Sequence, residues 1–242
     1  MGRVQTRWKL CGGAGVRLAR MHVDELPERT QDYLKTLWNF EEHHGAGEAM
    51  PLGELARATG QKLPACSEAV KRLHAKELVS HERYAGARLT ETGRSLAAAV
   101  ARRHRLLESF LVTTLGYTWD EVHVEADQLE HACSDRFIDR LDSFLDHPAR
   151  DPHGDPIPGA DGKAEPLSAR KLADVPADET VTMEQVDDAD PELLRFLDEH
   201  GMRPGTQLTV TAAPAAGLMH VSVDGATSFA LAEVAARDIA VR

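Results

Sequence analysis

The sequence predicts a mainly α-helical protein with a small β component, arranged as a winged helix-turn-helix, a helical dimerisation domain and a C-terminal small β-barrel. Three observations predict this fold class. Short helical patterns precede a β-hairpin between residues 28 and 96, a long amphipathic helical pattern follows, and short alternating runs fill residues 180–242. A chain of 242 residues is long enough for two or three domains.

The first folded part, residues 28–96, has the element order of a winged helix-turn-helix. Apolar residues at helical spacing, such as Leu34, Leu37 and Trp38, predict its first helix. The short turn that follows, between two short helices, is typical of this DNA-binding motif. The predicted elements are helices over 29–44, Leu52–Thr59 and Pro64–Lys76, a strand over 78–84, a turn at Gly86 and a returning strand over 87–90.

Two long amphipathic helices without a proline break are predicted next, and such a pair is typical of a dimerisation unit. Proline and glycine density then indicates a linker, and short strands around one helix indicate the small barrel. The predicted boundaries are a disordered extension over 1–27, the helical domain over 97–150 with helices to about Leu115 and from Trp119 to Leu145, a linker over 151–179, and the barrel over 180–242 with its helix at Pro191–His200.

Charge is unevenly distributed along the chain. The net charge of −11 comes from the C-terminal part, because residues 1–27 and 28–105 each carry +3 whereas residues 106–242 carry −17. A basic N-terminal module on an acidic body is compatible with a double-stranded DNA partner. The three cysteines are scattered and suit a reducing cytoplasm. No apolar run is long enough for a membrane span, so we expect no membrane partner.

Two groups of potential metal ligands stand out in the helical domain. Asp127, Glu130 and His131 share one helix face because residues three and four apart are neighbours on a helix. His104 and Glu108 form a second such pair, and His123 can join them if the two helices pack side by side. Carboxylate oxygens and neutral imidazoles are the ligands that divalent cations take in proteins.

Three other interpretations compete with a metal sensor. The groups could be a solvated charged helix face, a catalytic metal site of a hydrolase, or the remains of a sensor in a metal-independent winged-helix regulator. The helix-turn-helix and the absence of a nucleophile motif weigh against an enzyme, so we expect no small-molecule substrate. The second histidine–glutamate pair weighs against a plain charged surface.

These residues, in this order and setting, resemble the DtxR/MntR family of metal-dependent repressors. The resemblance covers nearly all of residues 28–242. The motifs that carry it are Gln-Asp-Tyr-Leu-Lys-Thr-Leu-Trp (31–38), Leu-Thr-Glu-Thr-Gly-Arg (89–94), Arg-Arg-His-Arg-Leu-Leu-Glu (102–108), Glu-Val-His-Val-Glu-Ala-Asp-Gln-Leu-Glu-His-Ala-Cys-Ser-Asp (121–135) and Asp-Pro-His-Gly-Asp-Pro-Ile-Pro-Gly (151–159). It implies a homodimer whose C-terminal domain is SH3-like (FeoA-like) and whose targets are operators of metal-uptake genes.

The resemblance also implies two metal sites per subunit. The primary site would take Asp32, Asp127, Glu130 and His131. The ancillary site would take His104, Glu108 and His123, completed from the C-terminal domain by Glu192, the best match, or alternatively by Asp188 or Asp190.

Metal identity follows from two of these positions. Iron-responsive members carry Met and Cys at the positions of Asp32 and Asp127, whereas hard oxygen ligands suit manganese(II). Manganese(II) is therefore the expected cofactor, with iron(II) or another divalent transition metal as the alternative. Binuclear manganese regulators have a glutamate at the position of Lys35, so the two sites are expected to be separate here.

The helix Pro64–Lys76 is the predicted recognition helix. A metal that joins Asp32 to the dimer core would set the spacing of two such helices for successive major grooves. The residues expected to face base edges are Lys62, Pro64, Ala65, Ser67 and Glu68, and those expected to face phosphates are Lys71, Arg72, Arg83 and Arg88.

Overall fold

A computed structural model describes residues 21–82 and 85–242 of the chain. Its elements confirm the predicted order of helices and strands, apart from one long helix discussed below. They are α1 Glu28–His44, α2 Leu52–Ala58, α3 Leu63–Ala75, β1 Val79–Glu82, β2 Gly86–Leu89, α4 Glu91–Leu115, α5 Val122–Leu129, α6 Asp135–Phe144, β3 Thr180–Val186, α7 Pro191–Glu199, β4 Gln207–Ala215, β5 Leu218–Val223, β6 Phe229–Ala232, α8 Glu233–Ala236 and β7 Ile239–Val241.

The winged helix-turn-helix is built around a core from α1, α2 and α3. Leu34, Leu55 and Val70, one from each helix, are fully buried in this core, which explains the helical spacing of apolar residues in the sequence. The wing is an antiparallel hairpin in which Val79 of β1 pairs with Leu89 of β2. Its tip residue Arg83, a predicted phosphate contact, lies outside the described residues.

Residues 21–27 pack against the folded domains, so the predicted disordered extension over 1–27 is wrong for these seven residues. Val23 and Leu26 are buried in the same core, and Val23 lies in a short 3-10 turn. The Arg103 guanidinium of α4 donates to Asp24 at 2.6 Å, which fixes this segment on the helical domain. The first 20 residues lie outside the described part of the chain.

The predicted helix from Trp119 to Leu145 is wrong, because two helices replace it. α5 ends at Leu129 and α6 begins at Asp135. Ser134 caps the N-terminus of α6, where its hydroxyl accepts a hydrogen bond from the Phe137 amide at 3.3 Å. Serine is strongly preferred at the N-cap of a helix, so Ser134 explains why a new helix begins here and the long helix is interrupted. The break leaves Glu130 and His131 in a tight connection.

The loop at 151–157, which is part of the predicted linker, is largely buried. Asp151, His153 and Asp155 are each less than a tenth exposed. The Arg105 guanidinium of α4 donates to the Pro156 carbonyl at 2.7 Å and to Glu42 of α1 at 2.6 Å. The loop therefore packs as part of the helical domain.

The C-terminal domain is a five-stranded antiparallel sheet with strand order β6-β5-β4-β3-β7, which confirms the predicted small β domain. Its core also takes Trp119, which precedes α5 in the chain and is 1% exposed. Val186 of β3 donates its amide to the His153 carbonyl at 3.0 Å. These contacts attach the sheet to the helical domain. Within the described ranges, no helix combines the length and apolar character needed to cross a bilayer.

Gly93 provides a test of how the wing is joined to α4. A Cβ there would lie 1.9 Å from the Leu78 carbonyl oxygen, so backbone must move. We expect Gly93→Ala to lower the free energy of unfolding by about 1–3 kcal/mol. Gly53 of α2 has no atom within 4 Å of the same position, so Gly53→Ala is the matched control and should raise stability by about 0.5–1 kcal/mol. Urea unfolding of both variants measures this, and equal effects would refute the close packing.

Candidate metal centre and nucleic-acid interface

Carboxylate and imidazole side chains from four parts of the chain converge beside α4. They come from α1, α4, α5 with the connection after it, and the loop that precedes α7. The residues are Asp32, His104, Glu108, His123, Asp127, Glu130, His131 and Asp188. They form two clusters of potential metal ligands and a third group between them. A different combination of helices and loops supplies each of the three.

The first, here called the primary cluster, consists of Asp32, Glu130 and His131. His131 Nε2 lies 3.0 Å from Asp32 Oδ1 and 3.6 Å from Glu130 Oε1. Neighbouring ligands of a small divalent ion, with bonds of about 2.1 Å, are separated by about this much. The other ring nitrogen of His131, Nδ1, lies 3.2 Å from Gln31 Oε1. A hydrogen bond there would leave Nε2 facing the cluster, as metal-binding histidines require.

Glu130 shows that the primary cluster suits a cation. Its side chain is fully buried, and Oε1 has no hydrogen-bond partner among the described residues. A buried carboxylate oxygen without a partner is costly, and a bound cation would compensate for that cost. Burial opposes ionisation of Glu130, but the hydrogen bond with His104 and the Lys35 charge outweigh it and lower its pKa. Burial raises the pKa of Asp32.

The second, here called the ancillary cluster, consists of His104, Glu108, His123 and Asp188. Glu108 Oε1 lies 2.9 Å from His104 Nε2 and 3.3 Å from His123 Nδ1, and the same Nδ1 lies 2.9 Å from Asp188 Oδ2. Burial opposes a charge on His123, but Asp188 and Glu108 outweigh it and raise its pKa to about 11. Burial likewise opposes ionisation of Asp188, yet the His123 hydrogen bond lowers its pKa to about 2.

The favoured C-terminal ligand, Glu192, is not part of this cluster. Glu192 lies exposed in the first turn of α7, whose N-terminus is capped by Asp190. The Asp190 side chain accepts a hydrogen bond from the Glu192 amide at 2.9 Å. Asp190, one of the two alternative ligands, therefore caps α7 and does not join the cluster. Asp188, the other alternative, takes the position beside His123.

Asp127 lies apart from the primary cluster to which it was assigned. Its Oδ1 lies 3.4 Å from His104 Nδ1, and its Oδ2 lies 3.6 Å from His123 Nε2. The Lys35 ammonium donates to Asp127 at 2.6 Å, and this carboxylate lies beside His104 and Glu130. Asp127 thus groups with His104 and Glu130, between the two clusters.

Three residues beside these clusters were not among the predicted ligands. Gln31 orients His131, and Asp151 and His153 lie near Glu108, with His153 Nδ1 3.9 Å from Glu108 Oε2. His153 is fully buried, and its Nδ1 has no hydrogen-bond partner among the described residues. His153 and Asp151 belong to a motif that carries the family resemblance, but the prolines and glycines of residues 151–159 indicated a linker.

The predicted DNA contacts form an exposed surface on α3 and the wing. Lys62 precedes α3 as its N-cap, and Pro64, Ala65 and Glu68 are exposed in its first two turns, whereas Ser67 is half-buried. Lys71 and Arg72 are also exposed, and Lys71 donates to Glu68 at 2.7 Å. Arg88 is exposed on β2 and donates to Ser80. The surface is available to a partner, and Glu68 is partly neutralised by Lys71.

Family comparisons cover almost the whole described chain. Residues 25–87 match the iron dependent repressor N-terminal DNA binding domain. Residues 90–159 match the iron dependent repressor metal binding and dimerisation domain, and residues 170–242 match the FeoA domain. The three matches follow the order of the three folded parts.

Individual relatives agree with these matches. The iron-dependent repressor IdeR of Mycobacterium tuberculosis strain H37Rv is 34% identical over 81% of this chain and 89% of its own, and the diphtheria toxin repressor of Corynebacterium efficiens is 33% identical over 78% and 85%. A solved manganese-dependent transcriptional repressor in complex with manganese has a TM-score of 0.81 and 42% identity over 88% of this chain and 98% of its own. The manganese regulator SloR has a TM-score of 0.74 and 32% identity over 90% and 99%.

The relatives share a regulatory role, and none of the matched family domains is an enzyme domain. A DNA-binding domain, a metal-binding and dimerisation domain and a FeoA domain occur here in one chain, with potential ligands between the first two. The chain therefore belongs to the DtxR/MntR family and is a metal-dependent transcriptional repressor.

Proposed function

We propose that this repressor is activated by manganese(II), at two sites per chain, and binds as a homodimer to palindromic operators of metal-uptake genes. The observation that carries the proposal is the composition of the two clusters. They contain only carboxylates and imidazoles, and among the described residues no cysteine joins them. Hard oxygen ligands suit manganese(II), whereas sulfur ligands favour softer metals. The 42% identical manganese-dependent structure supports the same metal.

The primary cluster explains how metal would control DNA binding. Asp32 belongs to α1 in the DNA-binding domain, whereas Glu130 and His131 belong to the helical domain. These three side chains would hold one ion. Asp127 would join them after it releases its contact with Lys35. A divalent cation supplies the positive charge that lets the acids remain close together. The angle between the two domains, and so the spacing of paired recognition helices, would then depend on metal.

Exposed apolar residues on the helical domain support a homodimer. Phe137 and Phe144 of α6, two turns apart, are 46% and 66% exposed, and Leu115 at the end of α4 is 57% exposed. Large apolar side chains exposed together on one domain typically mark an interface. A second copy of the same domain is the expected partner.

Operator binding by purified protein tests the function and the metal. We expect manganese(II) to increase operator affinity, with zinc(II), cobalt(II) and anaerobic iron(II) as comparisons. Asp32→Asn should weaken manganese-dependent affinity by about 10–100-fold because it removes a ligand. Glu192→Gln, a carboxylate outside both clusters, is the matched control and should change little. Fluorescence anisotropy measures this.

Two results would decide against the proposal. Activation by iron(II) at lower concentration, within its cellular range, would favour the alternative of an iron(II)-dependent repressor, which the IdeR relatives suggest. Operator binding that no metal affects would refute metal activation.

Asp127→Cys is expected to shift the preference towards iron(II), and no shift would contradict the role of hard ligands.

Phe144 tests the dimer. Phe144→Glu should weaken self-association by about 2 kcal/mol, roughly 30-fold, because a charge replaces an interface aromatic ring. Val234→Glu is the matched control, since Val234 is 71% exposed but lies in the C-terminal domain. Sedimentation equilibrium measures both. A dimer that Phe144→Glu leaves unchanged would place the interface elsewhere.

The raised pKa of His123 predicts proton release on metal binding. With a pKa of about 11 this imidazole is protonated at pH 7, and a metal binds only the neutral form. We expect about one proton per chain to leave the ancillary cluster, with metal affinity rising about tenfold per pH unit between pH 7 and 9. An imidazole near its ordinary pKa of about 6.5 would show no such rise above pH 7. Calorimetry in buffers of different ionisation enthalpy, with His123→Gln for comparison, measures the release.

A further inference from the structure

A run of positive charge precedes the matched DNA-binding domain, which begins at residue 25. Residues 1–20 contain five lysines and arginines and no aspartate or glutamate, although the whole chain has a net charge of −11. The five cations are Arg3, Arg7, Lys9, Arg17 and Arg20. Basic segments of this kind typically bind nucleic acid.

The residues that follow this basic segment fix its end on the folded protein. Val23 and Leu26 are buried in the core of the DNA-binding domain. His22 contacts the Asp135 carboxylate of α6, so the same stretch is also held by the helical domain. The basic segment is therefore attached to the body of the protein directly before α1.

The attachment lies near the recognition helix α3. Pro27, a few residues further along the chain, lines a cavity of about 390 Å³ between α1 and α3. Arg29, Arg72 and Lys76 line the same cavity; all three are exposed, and none has an ion pair among the residues that the structure describes. Arg72 is also one of the predicted phosphate contacts. The basic segment thus joins the protein beside cations that border the predicted DNA surface.

Length and charge both suit a contact with the DNA backbone. An extended chain spans up to about 3.4 Å per residue, so 20 residues can reach about 70 Å, or two turns of a DNA helix. Duplex DNA carries one negative charge per about 1.7 Å of its axis. The acidic part of this chain carries only −17 over residues 106–242. DNA is therefore the stronger partner for the five cations.

We propose that residues 1–20 are a second DNA-binding element, an arm whose cations contact phosphates outside the stretch read by α3 and the wing. In a homodimer, two arms of five cations provide ten. Phosphate contacts carry no sequence information, so the arm adds affinity for any duplex and leaves operator choice to α3. The inference rests on the proposed DNA binding by a homodimer, and it is independent of which metal activates the protein.

Neutralising the arm tests the proposal through the salt dependence of DNA binding. The probe is a duplex of arbitrary sequence, because phosphate contacts need no operator. The arm variant combines Arg3→Gln, Arg7→Gln and Lys9→Gln. The matched control removes three exposed cations from the C-terminal part of the chain by Lys163→Gln, Arg237→Gln and Arg242→Gln. Fluorescence anisotropy at several salt concentrations, with manganese(II) and in EDTA, gives the slope of log K against log salt.

We expect the arm variant to lose salt dependence. Each phosphate contact contributes about 0.9 to the slope, so losing three contacts in each chain of a dimer lowers its magnitude by about 5. Affinity at low salt should fall about tenfold or more, equally for duplexes of different sequence. The control variant should keep the slope of the unmodified protein. Equal melting temperatures of all three proteins show that the variants fold.

Trp8 gives a second measurement, because it lies among these cations in the sequence and the other two tryptophans, Trp38 and Trp119, are buried. Contact of the arm with DNA should change the tryptophan fluorescence of the unmodified protein. The change should disappear in Trp8→Phe, and a change that persists there would come from elsewhere and count against the arm.

An unchanged slope in the arm variant would overturn the proposal. An equal decrease in the control variant would do the same, because net charge instead of contact would then be responsible. Tighter binding by the arm variant would also overturn it, since the segment would then mask the DNA surface. A slope that changes as expected, with operator binding that no metal affects, would refute the proposed metal activation and leave the arm in place.

Discussion

The structure depends on the compensation of one buried charge, the carboxylate of Glu130. Its two oxygens face different ways, Oε2 towards His104 and Lys35, and Oε1 towards His131 with no hydrogen-bond partner in the described chain. A buried anion is stable only when cations or donors surround it. One oxygen is satisfied by the protein, and under the proposed function a bound cation would satisfy the other.

The same carboxylate explains why the elements are arranged as they are. It lies after α5, in the connection that Ser134 separates from α6, so it is not confined to a helix face. α1 supplies both a fixed cation, Lys35, and a potential ligand, Asp32, one turn apart. A single helix of the DNA-binding domain therefore contacts the helical domain twice, through Lys35 and through Asp32, which lies 3.0 Å from His131. Under the proposed function, the Lys35 contact holds the domains together without metal, and an ion held by Asp32 and His131 would adjust their angle.

Much of this could be predicted from the sequence, because periodic apolar residues and i, i+4 pairs are local signals. His104 with Glu108 was visible in that way, and the same spacing predicted that Glu130 and His131 lie together with Asp127. Partner choice was not visible. Asp127 contacts the buried ammonium of Lys35 and lies outside the cluster that contains Asp32. Asp188 contacts His123, whereas Glu192 does not, because Asp190 begins α7 between Asp188 and Glu192. His153 was hidden in a run that composition alone assigns to a linker.

Gly154 has a consequence for how this chain can be divided. Its φ is +94°, and a Cβ there would lie 2.0 Å from the Glu184 carbonyl oxygen, so the loop lies directly against β3. A cut placed by composition, after residue 150, would strip His153 from beneath Glu108 and expose the indole of Trp119. A fragment that ends there would thus lack part of the packing of the helical domain. A domain boundary chosen from proline content would cut through a folded unit.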